Sequence, residues 1–309
     1  MPKLEASPRA TPAARKLVSD NNLKLDTIIG TGPNGRIGQK DVLASLAQTS
    51  ALVPAAQTAT APLHAVWLRH GIGRPIVFLH GFGADLNAWR SFLAESRLTN
   101  PVLALDLPGH GGSTRNIPAS YEACAVEVEA CLRFHAVNDA VLVGHSWGGA
   151  IAAILAARGT LSLKALLLIA PAGLGPRING DFINGFLNAS EPASLRPWLQ
   201  ELVVDPAKIS DGFVTATWKL GQEPGMQAAQ RQLAQRYFPD GTQAFSIREA
   251  LSRLTIPCRV ILGSEDRITP SGQALPLPGQ IALHWLAQCA HLPHVEHSAI
   301  VQAILLQLV

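Results

Sequence analysis

Charge is scarce in this sequence, sulfur ligand pairs are missing, and long apolar runs do not occur. Of 309 residues only 15% are charged, against 48% hydrophobic. That balance excludes a disordered chain and belongs to one that buries a core. The longest apolar runs, residues 150–157 and 165–170, fall well short of the roughly 18–20 residues that a membrane span requires. Cys124, Cys131, Cys258 and Cys289 form no C-x-x-C pair, which argues against a zinc ribbon or a dithiol redox motif. Cys124 and Cys131 lie seven apart in a helix-like stretch and are expected to be buried free thiols on one face. The opening MPKLEASPRAT has neither an apolar core segment nor a cleavage-like site, so no secretory signal is expected, and a reducing, cytoplasmic setting fits. No internal repeat is visible. The length suits one large domain plus a small one.

What charge there is lies unevenly. Residues 1–47 hold seven Lys/Arg against four Asp/Glu and so carry all of the net +3, while residues 48–309 are balanced. A basic small module on a neutral large one implies an acidic partner. Between them, QTSALVPAAQTATAP (48–62) has no charge and no helical or strand period. It is expected to act as a flexible linker reaching ~20 Å.

Within the small module, GTGPNG (30–35) matches the G-x-G-x-x-G of dinucleotide loops. The context fails that reading. Pro33 interrupts the loop, only one short helix (39–47) follows, and position 55, where a ribose-binding acid would stand, is an alanine in the linker. The segment reads instead as two short helices around a structured loop. Thr11-Pro12 is a helix start leading into 13–20. Leu17, Leu23, Leu25, Ile28, Ile37, Val42 and Leu46 are the candidate core, and the glycines at 30, 32 and 35 are expected in turns of positive φ.

Residues 6–47, with A-R-K-L in the first helix, then G-T-G-x-x-G-R-I and K-D-V, resemble the peripheral subunit-binding (E3-binding) domain of 2-oxo-acid dehydrogenase E2 components. The resemblance implies docking of an E1 or E3 subunit through basic residues. Arg15, Lys16 and Arg36 match that pattern, and Lys40 adds charge nearby.

The rest of the chain, 63–309, alternates buried strands with helical segments. Strands are expected at Ile76–Leu79, in NPVLALD, in AVLVGH, in LKALLLIA and in IPCRVILG, the pattern of a mostly parallel sheet covered on both faces. Between the third strand and an Ala-rich helix stands Gly144-His145-Ser146-Trp147-Gly148. A serine in G-x-S-x-G projects from a strand-to-helix turn too tight for side chains two residues away on either side. The N–H of Trp147, at the helix start, can face a developing oxyanion, and the N–H of Phe82 in the His80-Gly81-Phe82-Gly83 loop is the candidate second donor.

These features resemble the α/β-hydrolase fold, whose Ser…Asp…His order implies three catalytic positions. Ser146 is the nucleophile. Asp266, ending VILGSED before RITP, matches the acid; Glu265 is the weaker candidate, and Asp106 in D-x-P-G-H-G matches a structural segment. His291 matches the first histidine of G-H-x-P-H-x-E, with Ala290 in place of the usual glycine. His294 and His297 are assigned to the following helix; their spacing and the absence of an acidic cluster argue against metal. His80, His110 and His145 are expected to hydrogen-bond rather than to act in acid–base chemistry, and Trp147 and Phe82 to line the pocket. An insertion, about 174–250, resembles a helical cap. Its aromatics (Phe182, Phe186, Trp198, Phe213, Trp218, Tyr237 and Phe238) are individually expected in the cap core.

A subunit-binding domain joined to an α/β hydrolase resembles E2-type components of acetoin dehydrogenase complexes. The resemblance implies transfer of an acetyl group from dihydrolipoamide to CoA, both as substrates, with no covalently bound cofactor. These residues contain no β-rich module of about 80 residues and no D-K-A lipoylation site, so the expectation is either a lipoyl group borne by another subunit or a truncated or diverged relative. A hydrolase of an ester, thioester or C–C bond is the alternative, and a docking scaffold with an idle triad the third. Neither nucleic acid nor membrane is an expected partner.

Overall fold

The structure is a computed structural model that describes residues 9–20, 25, 28–43 and 63–309. It divides into two compact units, Met1–Thr60 and Ala61–Val309.

In the small unit, helix α1 (Pro12–Asp20) begins as its sequence dictates: Pro12 sits at the first helical position, and Thr11 Oγ1 accepts the Ala14 N–H at 3.2 Å. A 3₁₀ turn (Pro33–Gly35) follows, and residues 39–43 are helical (α2). Ala14, Val18, Ile28, Ile37 and Val42 form the core, with Leu17 and Leu25 against it. Leu23, Leu46 and the 48–62 linker lie outside the described residues. So few apolar groups leave polar contacts to hold the loop. The Asp41 carboxylate does so, accepting the Gly38 N–H (2.7 Å), the Thr31 N–H (3.2 Å) and the Thr31 hydroxyl (2.6 Å). Those bonds, the one from Gly38 foremost, hold its carboxyl below the usual aspartate range.

The loop glycines correct one expectation. Only Gly35 takes a positive φ (+72°). Gly30 and Gly32 are required by close approach, since a Cβ on them would stand 2.4 Å from Gly35 O and 2.6 Å from Arg36 O.

The large unit is built on a seven-stranded sheet: β1 (Ala65–Arg69), β2 (Ile76–Leu79), β3 (Val102–Leu105), β4 (Asp139–His145), β5 (Ser162–Ile169), β6 (Cys258–Gly263) and β7 (Ile281–Leu286), in the order β1-β3-β2-β4-β5-β6-β7. β1 runs antiparallel to β3 and every other pair is parallel. Helices α3 (Arg90–Ala94), α4 (Tyr121–Phe134), α5 (Ser146–Arg158), α6 (Gly180–Asn188), α7 (Pro192–Gln200), α8 (Asp211–Gly221), α9 (Met226–Tyr237), α10 (Arg248–Ser252), α11 (Pro293–Glu296) and α12 (Ser298–Leu306) complete it.

Alternation along the strands assigns the two faces. Val77, Leu79, Leu103, Leu105, Leu142 and Leu166 pack with Val128 and Leu132 of α4 and Ile151 of α5. Ile76, Phe78, Val102, Val141, Val143 and Leu167 pack with Phe92 of α3 and Ile304 and Leu305 of α12. Strands covered on both sides must be apolar throughout, and for that reason the five central strands are legible in the sequence. β1 and β7 stand at the sheet edges, are only partly buried along most of their length, and carry polar or half-exposed positions such as Arg69, His284 and Trp285. β7 is interrupted by His284, whereas β1 holds an apolar run, Ala65–Leu68, as long as that of β2 but only half-buried.

The four cysteines are free and buried, as expected of Cys124 and Cys131. Burial pushes the thiols up, to about 12 for Cys124, Cys258 and Cys289 and about 11 for Cys131, so they stay protonated and unreactive at neutral pH. Among the described residues no helix is long and apolar enough to cross a membrane.

Candidate active site

β4 passes into α5 with no intervening residue, and Ser146 takes φ +50°, a left-handed backbone that costs a non-glycine residue about 1–2 kcal/mol. The neighbouring glycines make the turn possible. A Cβ on Gly144 would lie 2.6 Å from Gly148 O, and one on Gly148 would lie 2.3 Å from His80 O. Any larger residue at either place would push the helix off the sheet.

The chain brings Asp266 and His291 to this serine from beyond the cap. Asp266 follows β6 in a turn in which its Oδ1 accepts the N–H groups of Ile268 (2.8 Å) and Thr269 (2.9 Å), and its Oδ2 accepts the Thr269 hydroxyl (2.9 Å). The same Oδ2 receives the His291 Nδ1–H at 2.8 Å. With that hydrogen on Nδ1, Nε2 is the acceptor, and Ser146 Oγ donates to it at 3.0 Å. All three side chains are buried. Glu265 is exposed. Asp106 is a structural hub, accepting the N–H groups of Leu86 (2.8 Å) and Gly112 (2.8 Å) and bonding His64 Nδ1 (2.7 Å).

The loop carrying His291 is held from three sides. Its N–H donates to Leu202 O (3.0 Å), its carbonyl accepts His145 Nε2–H (2.9 Å), and the preceding Ala290 N–H donates to Glu296 (2.7 Å). Glu296 also accepts the Val204 N–H from the insertion at 2.6 Å. Ala290 has no positive φ, so alanine fits where the pattern has glycine.

The Phe82 loop is fixed by two neutral histidines. Leu107 N–H donates to His80 Nε2 (3.0 Å) while His80 Nδ1–H donates to Gly81 O (2.8 Å). Gly83 N–H donates to His110 Nε2 (3.0 Å) while His110 Nδ1–H donates to Pro108 O (3.0 Å). Each imidazole needs a bare Nε2 to do this, and burial lowers both pKa values. The Phe82 and Trp147 N–H groups stand on the two segments that border Ser146.

A cavity of about 480 Å³ opens over Ser146 and His291. Its walls are mostly apolar, with Asp85, Asn87 and Arg90 among the polar exceptions, and Phe182, Phe186, Phe213 and Phe238 of the insertion line it. Those four therefore face the cavity, whereas Trp198, Trp218 and Tyr237 do not line it. Phe82 lines the cavity as expected; Trp147 does not. Its ring is fully buried and stacks near His110 (5.2 Å) and Tyr237 (6.4 Å). His145 and His294 also line the cavity. The sequence pattern did not mark this, because G-x-S-x-G is indifferent to its second residue and His294 is named only as part of α11. His297 joins α11 to α12 rather than lying inside a helix.

Arg15, Lys16, Arg36 and Lys40 are exposed on the small unit. Among the described residues no group of three or more His, Cys, Asp or Glu is placed to hold a metal ion.

With this geometry in view, similarity to known proteins can be weighed. Residues 76–303 match the alpha/beta hydrolase family, and residues 8–43 match the e3 binding domain. The chain is 34% identical over 229 residues to a dihydrolipoyllysine-residue acetyltransferase component of an acetoin cleaving system from Pseudomonas putida, covering 72% of this chain and 60% of that protein. It thus spans about three fifths of the length of that relative. It is 31% identical over 242 residues to a 2-hydroxymuconate semialdehyde hydrolase from Pseudomonas sp. (strain CF600), covering 74% and 84%. A meta-cleavage product hydrolase from Pseudomonas fluorescens IP01 superposes with a TM-score of 0.69 at 21% identity, covering 79% of this chain and 92% of that one, and shares the fold. The chain belongs to the alpha/beta hydrolase family of enzymes and carries an E3-binding domain ahead of its hydrolase domain.

Proposed function

We propose that the protein is a serine acyl-transfer enzyme of the E2 type, moving an acetyl group from dihydrolipoamide to CoA within an acetoin-dehydrogenase-type complex. The observation that carries the chemistry is the relay from Ser146 Oγ to His291 Nε2 and from His291 Nδ1 to Asp266, at 3.0 and 2.8 Å. The E3-binding match at residues 8–43 directs that chemistry to a multienzyme complex.

In this reading His291 Nε2 takes the proton of Ser146 as Oγ attacks the thioester carbonyl of S-acetyldihydrolipoamide. Asp266 holds the imidazole tautomer and stabilises its cation. The Phe82 and Trp147 N–H groups stabilise the tetrahedral oxyanion, each worth about 3 kcal/mol in comparable sites. The C–S bond breaks, His291 returns the proton to the departing thiolate, and acetyl-Ser146 remains. CoA then gives its thiol proton to His291, its sulfur attacks the ester, and the proton goes back to Ser146 as acetyl-CoA leaves. No redox step occurs. Arg15, Lys16, Arg36 and Lys40 dock an acidic face of an E1 or E3 subunit, and an acetylated lipoyl group is the donor.

Two observations favour a hydrolase of an ester, thioester or C–C bond. The cavity of about 480 Å³ is much larger than an acetyl group, and a semialdehyde hydrolase is among the relatives. The deciding experiment supplies S-acetyldihydrolipoamide with and without CoA, beside Ser146→Ala. Acetyl-CoA formation that disappears in the variant supports the transferase. Release of free acetate whether or not CoA is present, also lost in the variant, replaces it with the hydrolase.

A further inference from the structure

Of the imidazoles that line the reaction cavity outside the relay, His80 has both nitrogens bonded, which leaves His145 and His294. His145, the residue before Ser146, gives its Nε2–H to the His291 carbonyl at 2.9 Å. A carbonyl only accepts, so in the neutral ring Nδ1 carries a bare lone pair. That nitrogen stands beside the nucleophile: His145 Nδ1 and Ser146 Cβ lie 2.8 and 3.2 Å from the point a side chain on Gly81 would occupy. Among the described residues His145 Nδ1 has no hydrogen-bond partner.

His294 enters the same wall from α11. Its ring lies 4.8 Å from that of His145, and it leans on the Trp89 indole at 4.9 Å. It is 4% exposed, lines the cavity, and its Nδ1 has no partner. A polar atom buried without a partner costs free energy. Burial and the neighbouring imidazoles hold both rings neutral, His294 down to about 3.

We propose that His145 and His294 form a polar subsite beside Ser146 that receives an uncharged group able both to donate and to accept a hydrogen bond, a hydroxyl or an amide close to the scissile carbonyl. Such a group donates to His145 Nδ1 and accepts from the hydrogen of His294. A carboxylate has no hydrogen to offer His145 and would face its lone pair. An ammonium ion cannot accept the His294 hydrogen and would give up its hydration against mostly apolar walls. A purely apolar group leaves both rings unpaired.

The inference rests on the acyl-serine reading but not on CoA as acceptor. It is tested with three p-nitrophenyl esters of one skeleton: N-acetylglycyl, which carries an amide; 4-oxopentanoyl, with CH₂ in place of the amide N–H; and pentanoyl. For each protein, kcat/KM is divided by the ester's hydroxide-catalysed rate, and the ratio of N-acetylglycyl to pentanoyl is taken. In the wild type this ratio is expected to be about 3–10, with the 4-oxopentanoyl ester between. In His294→Leu it is expected near one, and in His294→Gln, which keeps a donor and an acceptor, largely restored. Being internal to each protein, the ratio survives partial loss of folded enzyme. A wild-type ratio of one or less, or a ratio unchanged in His294→Leu, overturns the subsite. Turnover surviving in Ser146→Ala overturns the acyl-serine reading and the subsite with it. Failure to make acetyl-CoA removes only the choice of acceptor and leaves the ester ratio readable.

Discussion

The two units solve the same problem with different means. In the large unit two apolar layers enclose the sheet, and its buried histidines serve as neutral struts: His80 and His110 hold the Phe82 loop, and His145 holds the His291 loop. The small unit has few buried apolar side chains, and a charged strut, Asp41, ties its loop. The large core adds neutral imidazoles to carboxylates such as Asp106, whereas the described part of the small unit relies on the buried Asp41 carboxylate for its loop. In the proposed function the division follows the same line, with acyl chemistry in the core-rich unit and recognition at the charged surface of the core-poor one.

The comparison is most sharply tested by removing the nucleophile. Ser146→Ala is expected to lower kcat for ester or thioester turnover by at least about 10³-fold while leaving binding of E1 or E3 through the small unit intact, read by calorimetric titration. A loss of docking in the same variant would mean that the two roles are not separable.

Gly148→Ala comes next. Its Cβ would meet His80 O at 2.3 Å, so the strand-to-helix turn must open. The expected cost is about 2–4 kcal/mol of stability in the large unit, within the range of strained or overpacked substitutions, together with loss of turnover. Thermal unfolding followed at the tryptophans, all of which lie in the large unit, reads it.

Charge reversal at the docking surface is expected to be smaller and to fall on the other unit. Arg36→Glu should weaken association with an E1 or E3 subunit by roughly tenfold at low ionic strength, less at high salt, with ester hydrolysis unchanged. Hydrolysis that falls with binding would contradict the division of labour.

The gentlest test is pH. His80, His110, His145 and His294 are all pushed down, burial being the main cause. Below about 6.5 the unfolded chain takes up protons that the native large unit refuses, so its stability falls as pH falls from about 6.5. For His294 the loss continues to about 3. Asp41 behaves differently: its carboxyl is held low by the Gly38 and Thr31 bonds, so the small unit keeps that contribution until pH drops below about 4 and loses it as the native carboxylate protonates. Melting curves of the two units between pH 7 and 5 should therefore move apart. Parallel curves would contradict the assignment of neutral and charged struts.

What the sequence determines by itself is whatever local geometry demands. A serine at a strand-to-helix turn needs Gly144 and Gly148, a helix start is well served by Thr11-Pro12, and strands enclosed on both faces must be apolar throughout. Each constraint acts over a few residues and leaves a readable pattern. The order Ser146, Asp266, His291 was legible through resemblance to a family, not through any local rule, because the partners lie 120 and 145 residues from the serine. Other features were decided only by folding. That β1 and β7 are the half-buried edges follows from the strand order. The aromatics of the insertion divide between cavity and cap interior according to how its helices pack. His145 and His294 become neighbours 4.8 Å apart, facing the cavity, only when α11 returns to the end of β4. Side chains brought together across such spans share no period and no spacing, so their chemistry is written in the packing of the chain and not in its local order.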